Sequence, residues 1–228
     1  MAGAQIKAGC FTILFFGGVL WFVLGKPGLS EMKSFIPELP LSTEKVAKPN
    51  TTKGTRSNKS NTGTSPGKVI DQYKGVKVYF NGSVGHVSGR NRTADGYNLG
   101  LKYQCVEFSK RYYYERFGHK MPDSYGHAKD FFDTRIPDGA INRARGMRQY
   151  RNGGLRKPQS EDLIVIGPTP ENSYGHLMVV TEASDSEISF IQQNPGPHNP
   201  SRGTYRLIQR DGGWYIDGRG ILGWLRMP

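Results

Sequence analysis

Between Gly100 and Gly118 the chain reads GLKYQCVEFSKRYYYERFG, and this stretch constrains the fold more than any other. From Cys105 onward, Val106, Tyr113 and Phe117 recur at roughly helical spacing, with Phe108 and Tyr112 beside them. Gly118 lies where a left-handed C-terminal cap belongs. A helix this aromatic must bury one face against another layer. Its first residue is Cys105, the one cysteine outside an apolar N-terminal segment. A thiol at a helix N-terminus faces unpaired N–H groups and the positive end of the dipole, and both favour the nucleophilic thiolate. The remaining sequence therefore has to supply a base and a group that orients it.

Most of the second layer lies downstream. Asp162–Ile166 reads as a short buried strand, and His176–Glu182 with Glu187–Gln193 reads as a hairpin about Ala183–Ser186. Thr204–Gln209 and Trp214–Ile216 make a second hairpin about Asp211-Gly-Gly213, and Ile221–Leu225 ends the pattern. Upstream, Val76–Phe80 alternates like a strand, and the Gly- and Asn-rich run 81–99 reads as a long loop. Ala128–Phe132 suits a short helix, whereas 135–157 is ambiguous. A helix followed by an antiparallel meander is an α+β order.

Residues 68–228 hold this pattern. Residues 26–67 are rich in Pro, Ser, Thr, Asn, Lys and Gly and carry too few apolar residues to bury a core. They read as a flexible linker, and roughly forty residues of coil reach about 35 Å. Residues 8–25, AGCFTILFFGGVLWFVLG, are uncharged and just long enough for a spanning helix. Residues 1–25 are therefore expected to be a membrane anchor, with a cleaved signal segment as the alternative. Either reading puts the domain outside the cytoplasm, membrane-anchored or secreted. The net charge of +12 suits acidic surroundings such as anionic lipid or a cell-wall polymer. Zinc-finger spacing and RNP-like motifs are absent from the sequence, so nucleic acid is not an expected partner. Two cysteines cannot make a disulfide framework.

Five histidines are available to Cys105: His86, His119, His127, His176 and His198. Only His176 opens a strongly patterned strand, and a rigid strand end is a good mount for a general base. A catalytic imidazole also needs an acceptor for its second nitrogen. If the hairpin turn centres on Asp185, Asn194 faces His176 and Gln192 points to the same side. If the turn is one residue shorter, Gln193 faces His176 instead.

YQCVEFSKRYYYERFG around Cys105, GHLMVVTE at His176, ISFIQQN at Asn194 and ILGWL near the C-terminus resemble the CHAP family. PQSEDLIVI resembles that family's entry to the histidine strand, with Glu161 in place of Gly. These are cysteine- and histidine-dependent amidohydrolases/peptidases of the papain-like NlpC/P60 superfamily, and the amidase domains of glutathionylspermidine synthetases are similar. The resemblance implies a papain-like CHAP fold, a cysteine-bearing helix packed on an antiparallel β-sheet. It makes Cys105 the nucleophile and His176 the base. It puts Gln192 where the amidases have Glu, and Asn194 where they have Asn. Gln104 and Lys110 fall at substrate-binding positions, and the backbone N–H of Cys105 with Gln104 would hold the oxyanion. No metal or organic cofactor is implied. The expected activity is hydrolysis of an amide, in peptidoglycan peptides first. The alternatives are a glutathionylspermidine-type amidase and a non-catalytic cell-wall-binding module.

Overall fold

Two short hairpins lead into the cysteine helix. β1 (Val69–Tyr73) pairs with β2 (Val76–Tyr79), and β3 (Arg90–Arg92) pairs with β4 (Asn98–Leu101). The computed structural model describes residues 65–196 and 199–228, all in the unit Asn58–Pro228. The proposed anchor and nearly all of the linker lie outside the described residues, as does His198.

Helix α1 spans Cys105–Phe117. Gly118 ends it at φ 64°, a left-handed conformation that glycine adopts without strain, and donates its N–H to the Tyr114 carbonyl. A 3₁₀ turn follows at Ala128–Phe131. Then come β5 (Ile141–Asn142), β6 (Met147–Arg151), β7 (Leu163–Ile166), β8 (His176–Ala183), β9 (Glu187–Ile191), β10 (Arg202–Arg210), β11 (Gly213–Ile216) and β12 (Ile221–Arg226). Among the described residues these eight form one antiparallel sheet, in the order β11-β10-β9-β8-β7-β12-β6-β5. The architecture is α+β, with the cysteine helix packed on an antiparallel sheet, as expected.

Strand alternation splits the central strands between two cores. Leu163, Val165, Leu177 and Val179 face the helix, where Phe108, Tyr112 and Tyr113 are fully buried. Burying each such aromatic contributes about 1.5–3 kcal/mol. Ile164, Met178 and Val180 face the other way, onto Leu207, Ile216 and Trp224. The sheet curls around this second core, because the loop after β6 reaches β11. Gly153 N–H donates to the Trp214 carbonyl at 2.7 Å, and the Asn152 side chain brackets the Ile216 backbone. Both faces of β8 are thus buried from Leu177 to Val180, and the strand meets solvent only at its ends, one of which carries His176.

Two regions differ from the sequence expectation. The 81–99 segment is not all loop, since β3 and β4 form within it. Asn91 and Asn98 are held by polar contacts, and the buried run Asn98-Leu99-Gly100 does not alternate, so no hydrophobic pattern marks these strands. The ambiguous 135–157 region supplies β5 and β6.

Candidate active site

Three elements converge on one cleft of about 540 Å³: the N-terminus of α1, the start of β8, and the segment after β9. Cys105, His176 and Asn194 all line it, with Gln104, Arg90, Tyr125 and Tyr174. His176 also borders a second groove of about 700 Å³ that runs past Gln192, Phe190 and Tyr205, so the imidazole stands between the two.

Gly175 sets the position of the histidine. Its φ is 77°, and a β-carbon there would lie 2.4 Å from the Ile166 carbonyl oxygen and 3.0 Å from the Lys129 nitrogen. Only glycine lets the chain pass between β7 and the 3₁₀ turn and enter β8 at this angle. Nε2–H of His176 then donates to Oε1 of Gln192 at 2.9 Å. The orientation of the Gln192 amide is fixed independently, because its Nε2 donates to the Pro200 carbonyl at 3.0 Å. The oxygen must face the imidazole, so the neutral ring carries its proton on Nε2 and a lone pair on Nδ1.

Asn194 takes a different part. The β8–β9 register near the site pairs Val179 with Ile191 and Val180 with Phe190, which extrapolates to Asn194 opposite His176. A bulge between Val180 and Glu182 shifts the turn end of the hairpin by one residue, in the sense opposite to a shorter turn, so the register that would set Gln193 against His176 does not occur. Pairing ends at Ile191, and Asn194 sits at φ 56°. Its amide turns away from the imidazole and donates to Gln104 Oε1 at 2.7 Å and to the Val84 carbonyl at 2.9 Å. Gln192, not Asn194, meets the histidine.

Gln104 likewise departs from expectation. Its amide nitrogen donates to the carbonyls of Val84 and His86, at 3.1 and 2.9 Å, so both protons are engaged and neither is free for an oxyanion. Lys110 does not line the cleft. It is buried behind the wall, where its ammonium donates to the carbonyls of Asn98 and of Ser124. Desolvation lowers its pKa to about 8.

The thiol is not the thiolate that a helix N-terminus favours. The backbone N–H groups of Leu177, Val106 and Cys105 itself stabilise its anion, but burial outweighs them and pushes the Cys105 pKa up to about 11. Burial lowers His176 to about 4, against the opposing hydrogen bond to Gln192. At neutral pH the resting pair is thiol and neutral imidazole. Among the described residues no hydrogen bond joins them; the Leu177 N–H beside the sulfur belongs to the residue that follows His176.

A buried polar network holds helix and strand end together. Glu107, fully buried, accepts from Arg111 Nε at 2.7 Å, Asn91 Nδ2 at 2.7 Å and Gln193 Nε2 at 2.8 Å. Gln193 also donates to the Gln104 carbonyl and accepts from Tyr79 N–H. Neither Glu107 nor Arg90 stood out in the sequence. A glutamate two residues after the cysteine, inside an otherwise apolar helix start, was the available signal for Glu107; Arg90 gave none. Among the described residues no group of His, Cys, Asp and Glu has metal-binding geometry, and no helix is long and apolar enough to cross a membrane.

Residues 94–194 match the model of the CHAP domain. The chain is 30% identical over 163 residues to a trypanothione synthetase of Crithidia fasciculata, covering 67% of this chain and 25% of that one. It is 25% identical over 138 residues to the bifunctional glutathionylspermidine synthetase/amidase of Escherichia coli (strain K12), covering 56% and 22%. The chain thus spans about a quarter of the length of these curated relatives. Among solved structures, a wild type endolysin, LysIME-EF1, aligns with a TM-score of 0.36 at 23% identity, covering 65% of this chain and 60% of that one.

Proposed function

Since residues 94–194 of this chain are a CHAP domain, we propose that the protein is a cysteine-dependent amide hydrolase acting on the peptide part of peptidoglycan. The observation that carries the reading is the pairing in one cleft of Cys105 with a histidine whose second nitrogen is locked. Nδ1 of His176 is then the lone-pair nitrogen left for the thiol.

The chemistry follows from the protonation states. Nδ1 of His176 takes the proton from Cys105 as the sulfur attacks the amide carbonyl. The carbonyl oxygen gains negative charge and is received by backbone N–H, that of Cys105 first, since the Gln104 amide is occupied. The imidazolium, steadied by the dipole of Gln192, gives its Nδ1 proton to the departing amine. Water, deprotonated by the same nitrogen, cleaves the thioester and restores the thiol.

The cell-wall substrate rests on the basic charge, the apolar segment 8–25 and the linker, which together suit a domain held on an exported tether. On this reading the enzyme is membrane-anchored, or secreted if the segment is cleaved. The second reading, a glutathionylspermidine-type amidase, is favoured by the likeness to the bifunctional synthetase/amidase. Purified protein and its Cys105→Ala variant, incubated with peptidoglycan fragments and with glutathionylspermidine, separate the two by mass spectrometry. Cys105-dependent release from the wall fragments supports the first, and release of spermidine alone supports the second. Absence of turnover on both sinks the hydrolase reading.

A further inference from the structure

We propose that Arg90 is the anion-recognition residue of the Cys105 cleft, and that the cleft takes amide substrates bearing a free carboxylate beside the scissile bond. This rests on the hydrolase reading above and narrows its substrate class.

The charge distribution points there. Among the described residues that line the cleft there is no Asp or Glu, and Arg90 is the one permanent charge. Arg90 is solvent-exposed at the start of β3 and has no carboxylate partner among the described salt bridges. It is nonetheless held in place. Its Nη1 donates to Oδ1 of Asn98 at 3.0 Å, and its guanidinium lies 5.8 Å from the centre of the Tyr125 ring. The Asn98 oxygen must face it, because the Asn98 nitrogen donates to the Ser124 carbonyl at 2.7 Å. One neutral acceptor leaves most of the guanidinium's donors unengaged and its charge uncompensated.

Two more cations reinforce the field. Lys110 stands behind Asn98 and is close enough for Arg90 to depress its pKa. Arg145, also buried, spends its guanidinium on the backbone carbonyls of Asp123, Tyr125 and Asp130. Carbonyls solvate these charges without neutralising them. Asp123 opposes them at Lys110 and at Arg145, and Asp130 opposes Arg145, so Arg90, Lys110 and Arg145 outnumber the carboxylates Asp123 and Asp130 and this end of the cleft is left net positive. A guanidinium fork with free donors matches a carboxylate, which it can bind through two parallel hydrogen bonds.

Two soluble peptides test this. Both are N-acetylated, C-terminally amidated Ala-γ-Glu-Lys-Ala; one has its glutamyl α-carboxylate free and the other has it as carboxamide. The full chain should favour the carboxylate form in kcat/KM by about ten- to hundredfold, the worth of one hydrogen-bonded charge. Arg90→Gln should abolish that preference, and Arg90→Lys, which keeps the charge but not the fork, should retain part of it. Calorimetric titration of Cys105→Ala with both peptides reads the preference without turnover. Turnover with no preference, or a preference that survives Arg90→Gln, overturns the assignment. Preferential binding by Cys105→Ala with no turnover by the parent overturns the hydrolase reading and upholds Arg90. Equal or absent binding of the two peptides overturns the Arg90 assignment.

Discussion

The Gln193 amide donates to the buried carboxylate of Glu107 over 2.8 Å, and so ties the segment that carries Gln192 to the helix that starts with Cys105. Nucleophile and base arrive from elements 71 residues apart in sequence (176 − 105), and this bond and its neighbours fix their spacing. Glu107→Ala leaves Arg111 buried without its carboxylate, and should cost about 3–5 kcal/mol of stability. Removing the exposed Lys157–Asp185 pair by Lys157→Ala should cost about 0–1 kcal/mol. Chemical denaturation of the two variants against the parent checks the contrast.

The thiol should react slowly at neutral pH. With Cys105 raised to about 11 by burial, iodoacetamide alkylation should keep accelerating with pH well past 9, where an unperturbed thiol would already have levelled off. A rate that plateaus near pH 7 would mean a resting thiolate.

The imidazole gives an acid-side signature of opposite sense. His176 must be neutral to accept the thiol's proton, and its folded-state pKa is lowered to about 4. Activity should therefore persist below the ordinary histidine range and fall only as pH drops toward 4. The same shift acts on stability. Since the folded value lies below the unfolded one of about 6.5, the contribution of neutral His176 is complete above pH 6.5 and is lost as pH falls through 4. His176→Ala should flatten this slope in denaturation midpoints measured from pH 7 to 4, and should lower kcat by about 10²–10⁴-fold.

Gln192 tunes that value. Gln192→Glu places a carboxylate on Nε2–H and should raise the His176 pKa, moving the acid limb of kcat/KM upward. Gln192→Leu removes the acceptor and frees the tautomer, so kcat should fall with little change in stability slope. Profiles for both variants distinguish an electrostatic contribution from one of tautomer control.

Gly175→Ala should be among the most damaging small substitutions. The added carbon meets the Ile166 carbonyl at 2.4 Å in a backbone conformation that alanine disfavours, which costs about 1–3 kcal/mol for the strain alone. Thermal unfolding reads the loss, and reduced kcat at permissive temperature reads the displacement of His176.

Much of this site could be read from residue patterns. The helix with its Gly118 cap, the strand opened by His176 and the hairpin through Ser186 follow from local periodicity, and all three occur. What escaped was decided by polar contacts and backbone conformation. The β3–β4 hairpin is built on Asn91 and Asn98, whose partners are far away in sequence. Asn194 is opposite His176 in register, but its left-handed backbone turns the amide aside and gives the histidine to Gln192. Cys105 is at a helix N-terminus as expected, yet burial raises its pKa more than the backbone N–H groups beside the sulfur lower it.

Lys110 does not line the cleft, but from behind it ties together two segments of its wall, through the carbonyls of Asn98 and Ser124, which also meet each other through the Asn98 amide. Neither segment can move alone without leaving a buried ammonium half-solvated. The two must move together or stay. The seat of Arg90 on Asn98 is therefore set when the chain folds, before any substrate arrives.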